Sequence, residues 1–176
     1  MTLDDPKQSA FRKIESHGAE AIQLAKDVLS NPEPGYREYK TAKLMAEKLR
    51  RVGIDDFEEG IAITGMKVTL DTGRRGPTVA ILGELDSHIV RGHPYADHET
   101  DAAHACGHHT QLGMLLAAAI GLRARGVMDT LSGRVALMAI PAEEYIEIEY
   151  RNQLRRQGKI EFLAGKSEFI KLGAFD

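Results

Sequence analysis

Two short apolar runs limit what this chain can fold into. Thr78-Val79-Ala80-Ile81-Leu82-Gly83 and Arg134-Val135-Ala136-Leu137-Met138-Ala139-Ile140 are nearly continuous in apolar residues. Runs of this length and texture read as strands covered on both faces, the kind found in sheets with helices on either side. Each run ends in acid: Glu84-Leu85-Asp86 follows the first, and Pro141-Ala142-Glu143-Glu144 follows the second. Segments of helical spacing alternate with them. The class is therefore α/β, with a mainly parallel sheet flanked by helices.

The remaining elements fit around these runs. Phe11, Ile14, Gly18, Ala21, Ile22, Ala25, Val28 and Leu29 repeat at three and four, which predicts a helix over 9–30. Asn31-Pro32-Glu33-Pro34-Gly35 stops it. A second helix is expected over 36–52, with Ala42, Met45, Ala46, Leu49 and Val52 inward and Gly53 as its stop. Residues 61–70 have β texture with Gly65 as a turn, and 87–103 read as a long surface loop. Residues 110–124 predict a helix apolar nearly all round, whose Ala and Gly content allows neighbours to approach closely. Polar residues 149–157 and the segment 165–172 predict two further helices, while Ile146, Glu147, Ile148 and Glu149 alternate as a half-exposed strand face does.

The stretch with the most chemistry is His104-Ala105-Cys106-Gly107-His108-His109, which contains the only cysteine. Thiolate and imidazole are the ligands of a borderline-soft dication such as zinc. On a regular helix, residues two apart diverge. In a loop entering a helix they can converge, and Gly107 gives the backbone that freedom. Ligands of open α/β sheets gather outside the carboxyl ends of strands. Asp86, the Glu143–Glu144 pair and the Cys106–His108 segment all fall on that rim. Of two adjacent glutamates, one can ligate a metal and the other can take a proton from its water, whose pKa falls from about 15.7 toward about 7 on such an ion.

Bulk properties exclude other classes. A net charge of −3 with scattered Lys and Arg gives no electrostatic case for nucleic acid. The longest apolar run, 112–122, is too short to span a bilayer, and Met1-Thr2-Leu3-Asp4-Asp5-Pro6 lacks the apolar core of a signal peptide. A single cysteine suits a reducing compartment, so a cytoplasmic location is expected. His88, His93 and His98 read as polar loop residues and His17 as an exposed helical one. His104 and His109 stay open between ligand, supporting and bystander roles. Gly165-Lys166-Ser167 resembles the end of a phosphate loop, but position 160 is Ile rather than Gly, which rejects that reading.

Four motifs occur in order: Asn31-Pro32-Glu33-Pro34-Gly35-Tyr36, Gly83-Glu84-Leu85-Asp86, His104-Ala105-Cys106-Gly107-His108 and Pro141-Ala142-Glu143-Glu144. Together they resemble the di-metal amidohydrolase and metallopeptidase family of bacterial aminoacylases, hippurate hydrolases, indoleacetyl-amino-acid hydrolases and aminobenzoyl-glutamate hydrolases. The resemblance implies a zinc-peptidase-like catalytic domain with an inserted, dimer-forming lid. It implies hydrolysis of N-acyl or peptide amides with two divalent ions, zinc or else Mn, Co or Ni. It implies Cys106, His108 and Glu144 as metal ligands, Glu143 as general base and Asp86 as a supporting residue.

Two features depart from the family pattern. His109-Thr110-Gln111 stands where Asp, a small residue and His usually follow the Cys-Gly-His core. Such enzymes are also roughly twice as long, and take further histidine ligands from beyond the carboxylate pair, whereas no histidine follows Glu144 here. Residues 1–176 therefore read as the N-terminal portion of an incomplete catalytic domain, without the lid and dimerisation domain, and inactive alone. The full-length protein is expected to be a homodimer acting on a small amide or peptide. Two rivals remain at this stage: a Cys106 nucleophile paired with a histidine, and a non-catalytic metal-binding or regulatory module derived from such an enzyme.

Overall fold

The fold is seen in a computed structural model that describes residues 5–176. The first four residues, part of the N-terminal stretch considered above for a signal peptide, lie outside the described residues. Helix α1 (Pro6–Ser30) begins where Asp5 caps it, its side chain accepting the Lys7 N–H at 3.1 Å with Pro6 in the first turn. Leu24 and Val28 are buried, while Phe11 and Ile22, at the margins of the expected apolar stripe, are exposed. Helix α2 (Tyr39–Arg51) starts three residues later than its spacing predicts. Tyr36 adopts a left-handed conformation (φ 61) in the preceding turn, which a helix cannot include.

Strands β1 (Glu58–Ile61) and β2 (Gly65–Asp71) form a hairpin. Its turn is made by Ala62 and Ile63, both at positive φ, so Gly65 opens β2 rather than making the turn. Strand β3 (Thr78–Glu84) follows, then the short antiparallel pair β4 (His88–Ile89) and β5 (Ala102–Ala103) within the expected loop. Helix α3 (His108–Leu122) starts two residues before the expected position, which brings His108 and His109 into its first turn. Helix α4 (Val127–Thr130), strand β6 (Arg134–Ile140) and helices α5 (Ile148–Arg156) and α6 (Gly165–Lys171) complete the order. The alternating face expected at Ile146–Glu149 does not form a strand. Glu147 takes φ 48 at the start of α5 and pairs with Arg37 at 3.0 Å, and a helix start uses those residues differently from a pleat.

The α/β architecture is present, and its main sheet runs β1-β2-β6-β3. The β3–β6 pair is parallel, and the β1–β2 and β2–β6 pairs are antiparallel. Strand β6 is covered on both faces, as its sequence predicts. Leu137 and Ala139 pack into the core formed with α1, α2 and α3, whereas Ala136, Met138 and Ile140 pack with Tyr36, Leu154 and Phe169 on the other face. Each fully buried Leu of this kind contributes roughly 2 kcal/mol.

Strand β3 departs from expectation. Among the described residues nothing pairs with its outer edge, and Val79 is 55% exposed. Helix α3 covers one part of it, with Leu112 and Leu115 against Gly83. An apolar run records that a strand is suited to burial, not whether its cover lies within the same stretch of chain. The close approach predicted for α3 is found. A Cβ on Gly113 would come within 3.0 Å of the Ala21 carbonyl of α1.

The parallel register sets the site. Glu84 stands beside Ile140, and the Leu85 N–H donates to the Ile140 carbonyl at 2.8 Å. Both strands thus end level, and the acidic residues that follow them share one rim.

Candidate metal centre

Gly107 precedes α3 at φ 95, a conformation that costs a Cβ-bearing residue about 1–2 kcal/mol. That turn points Cys106 and His108 toward the strand ends. Among the described residues, two triads offer ligand atoms that lie within 4.8 Å of one another: Cys106, His108 and Glu144, and Glu84, His108 and Glu143. The first contains the three residues read from sequence as ligands. The second contains the residue read as general base, together with Glu84, which sequence reasoning left without a role. Its position as the last residue of an apolar strand was the available signal.

His108 is the shared member and is buried. Its Nδ1 lies 2.8 Å from the Asp86 carbonyl oxygen and 3.5 Å from Asp86 Oδ1. Contact with a carbonyl makes Nδ1 the donor and turns Nε2 toward the acids. Nε2 is 2.8 Å from Glu84 Oε2, 3.6 Å from Glu143 Oε2 and 3.9 Å from Glu144 Oε1. Burial alone lowers the imidazole pKa. The hydrogen bond to Asp86 and the Cys106 thiol outweigh it and push the value up to about 11.

Asp86 is fully buried. Its Oδ2 accepts the Glu144 N–H at 2.9 Å, while Oδ1 has no hydrogen-bond partner. Cys106 is exposed rather than sealed among aliphatic groups, so its sulfur is accessible to an ion. Thiolate, imidazole and carboxylate on one gap, with a buried carboxylate and carbonyl behind the imidazole, form a donor set suited to a zinc-like ion.

The backbone behind the glutamate pair is held in a sparsely populated state. Ala142 takes φ 50, which turns the chain out of β6 so that Glu143 and Glu144 face the rim. Its N–H donates to Glu38 Oε1 at 2.7 Å, and its carbonyl accepts from Arg151 Nη1 at 3.1 Å. Glu38 and Arg151 are both fully buried. Burial, followed by the Asp86 charge, raises the Glu38 pKa to about 7. Neither residue stands out in sequence, since each lies in a polar segment that reads as solvated.

Lys166 is another addition. Its ammonium contacts Glu84 Oε1 and lies 3.3 Å from Glu143 Oε1. Gln111 Nε2 donates to Glu84 Oε2 at 2.9 Å. Burial raises the Glu84 pKa, but the hydrogen bonds from Lys166 and Gln111 outweigh it and leave the value lowered. His104 and His109 face each other with ring centroids 5.6 Å apart, outside both triads. Burial, then the His109 and His108 charges, pushes His104 down to about 3, so it is neutral. Of the loop histidines, His88 lies in β4 and His93 packs against Tyr95.

No family model matches the chain. It is 37% identical over 148 residues to thermostable carboxypeptidase 2 of Saccharolobus solfataricus, a match that covers 82% of this chain and 36% of that protein. It is 34% identical over 126 residues to an IAA-amino acid hydrolase of Arabidopsis thaliana, covering 70% of this chain and 28% of the relative. A solved Bacillus subtilis structure, described as a dinuclear metal-binding peptidase of the M20 family, superposes with a TM-score of 0.71 at 21% identity, over 92% of this chain and 41% of that one. The chain thus spans about a third of the length of the curated relatives it matches. With the strand-end acids, the Cys106–His108 turn and these likenesses together, the chain belongs to the amidohydrolase and metallopeptidase family that includes the carboxypeptidases, the indoleacetyl-amino-acid hydrolases and hippurate hydrolase.

Proposed function

We propose that these residues are the N-terminal portion of the catalytic domain of a metal-dependent hydrolase. Its substrates are the amide bonds of N-acyl amino acids or small peptides. The observation that carries this reading is the convergence of Cys106, His108 and Glu144 on one gap within 4.8 Å, with Glu143 beside them. Cys106, His108 and Glu144 hold a divalent ion. A thiolate in the set favours zinc over harder ions, with Mn, Co and Ni as alternatives. The full site takes two such ions, as in the dinuclear Bacillus subtilis peptidase.

When bound, the ions polarise the amide carbonyl and acidify the attacking water. Glu143 accepts the proton from that water and returns it to the departing amine nitrogen. Asp86 holds the His108 ring and the Glu144 backbone, and so fixes the ligand geometry. The protein acts as a homodimer in the cytoplasm. Among the described residues no helix is long and apolar enough to cross a membrane. Because no histidine follows Glu144, the 176 residues alone bind an ion but lack donors for a complete centre and are inactive.

The test is expression of the entire reading frame, loaded with zinc or manganese and assayed against N-acyl amino acids and dipeptides. Ion-dependent hydrolysis is expected, lost in Glu143→Gln with the ion content unchanged. Hydrolysis that persists in Glu143→Gln, or full activity from residues 1–176 alone, would overturn the proposal.

A further inference from the structure

The two carboxylates of the second triad, Glu84 and Glu143, already share a cation. Lys166 reaches them from the first turn of α6, touching Glu84 Oε1 and standing 3.3 Å from Glu143 Oε1. The start of that helix is pinned. The Gly165 N–H donates to the Ala142 carbonyl at 3.2 Å, and Gly165 is packed against the Pro141 carbonyl with no room for a Cβ. Glu84 is pinned as well. Gln111 Nε2 donates to its Oε2, and Gln111 Oε1 accepts its backbone N–H at 3.2 Å. The Glu84 side chain is only 10% exposed, so its charge needs a partner within the protein. An ammonium is a compact point charge with three donors and can serve two carboxylates at once. Among the described residues, no Lys or Arg side chain is paired with the Glu144 carboxylate, whose neighbour is the ligand His108 at 3.9 Å.

We propose that Lys166 is a tethered cation that stands in for a metal ion between Glu84 and Glu143, leaving Cys106, His108 and Glu144 as the triad that admits one. Lys166 is then a positioning residue. It holds the Glu143 carboxylate on the Glu84 side of the gap and keeps a second ion from being captured by the base. The inference rests on the metal reading above and deepens it.

The test is equilibrium dialysis of the ion-free 176-residue chain against Mn²⁺ and against Zn²⁺, with metal analysis of the protein. The wild-type chain is expected to hold one ion. Lys166→Met is expected to hold a second, preferentially Mn²⁺ because the vacated ligands, Glu84 and Glu143, are carboxylates, at least tenfold more tightly than any second ion of the wild type. Lys166→Arg, which keeps the charge, is expected to stay at one. Lys166→Met with Glu84→Gln is expected to lose the gained ion. The Lys166 side chain is 46% exposed, so its replacement leaves the core intact. One ion in both the wild type and Lys166→Met overturns the role of the lysine alone, as do two in the wild type. No ion in either protein overturns the metal reading and this inference with it.

Discussion

Asp86 Oδ2 accepts the backbone N–H of Glu144 at 2.9 Å, joining the segment after β3 to the segment after β6 across the parallel pair. The same aspartate presents its carbonyl to His108 Nδ1 at 2.8 Å. One buried residue thus fixes two of the three proposed ligands. Outer hydrogen bonds of this kind are worth about 10–100-fold in metal affinity. Asp86→Ala keeps the carbonyl that faces His108 but removes the acceptor for the Glu144 N–H, and is expected to weaken Zn²⁺ binding within that range, measured by competition with a chromophoric chelator. Unchanged affinity would remove the Asp86 carboxylate from the centre.

Cys106 separates the metal reading from the nucleophile rival. Its side chain is exposed, so alkylation reports its state directly. Saturating Zn²⁺ is expected to slow iodoacetamide labelling at least tenfold, and a chelator to restore it, because a coordinated thiolate is not free to attack. Labelling indifferent to Zn²⁺ would take the sulfur out of the ligand set.

Glu38 predicts a pH dependence of stability. Its folded pKa is raised from 4.5 to about 7, first by burial and then by the Asp86 charge. The folded state therefore binds this proton more tightly than the unfolded chain does. The group's stabilising contribution is complete below about pH 4.5 and is lost as pH rises to about 7, a loss of about 3 kcal/mol. Glu38→Gln removes the titration. Its stability relative to wild type, from urea melts of the ion-free chain, is expected to rise by about that amount between pH 4.5 and 7.5. A flat difference across that range would place the Glu38 pKa elsewhere.

These residues also show how far the sequence could be read. The meeting of Cys106, His108 and Glu144 was legible because their chemistry is rare and sits at places the α/β pattern marks, a strand end and a helix start. The burial of β6 was legible because its run is apolar on both parities. The exposure of β3 was not, since Val79 and Leu82 look the same whether or not a neighbour covers them. Lys166 was considered only as the end of a phosphate loop. Its partner Glu84 is far away in sequence, and only the docking of α6 beside Ala142 joins them. Glu38 and Arg151 were missed for a related reason. A charged residue in a polar helix reads as solvated, and what buries each of them is tertiary.

Arg151 supports the strongest stability prediction. Its guanidinium is fully buried and donates to the carbonyls of Ala142, Leu163 and Glu144. It also lies 5.5 Å from the Tyr36 ring centroid. Two of those carbonyls belong to the turn that aims the glutamate pair, and the third anchors the segment before α6. Arg151→Met fills much of the space but leaves three acceptors without a donor, at about 1–3 kcal/mol each when they stay buried. A loss on the order of 4 kcal/mol is expected, which lowers Tm by roughly 10 °C for a chain of this size. Because the turn is released, ion affinity is expected to fall with stability, even though Arg151 is not among the proposed ligands. Thermal melts with and without Zn²⁺ test both effects: a variant that loses stability yet keeps wild-type affinity would show that the Ala142 turn does not depend on Arg151 for its aim.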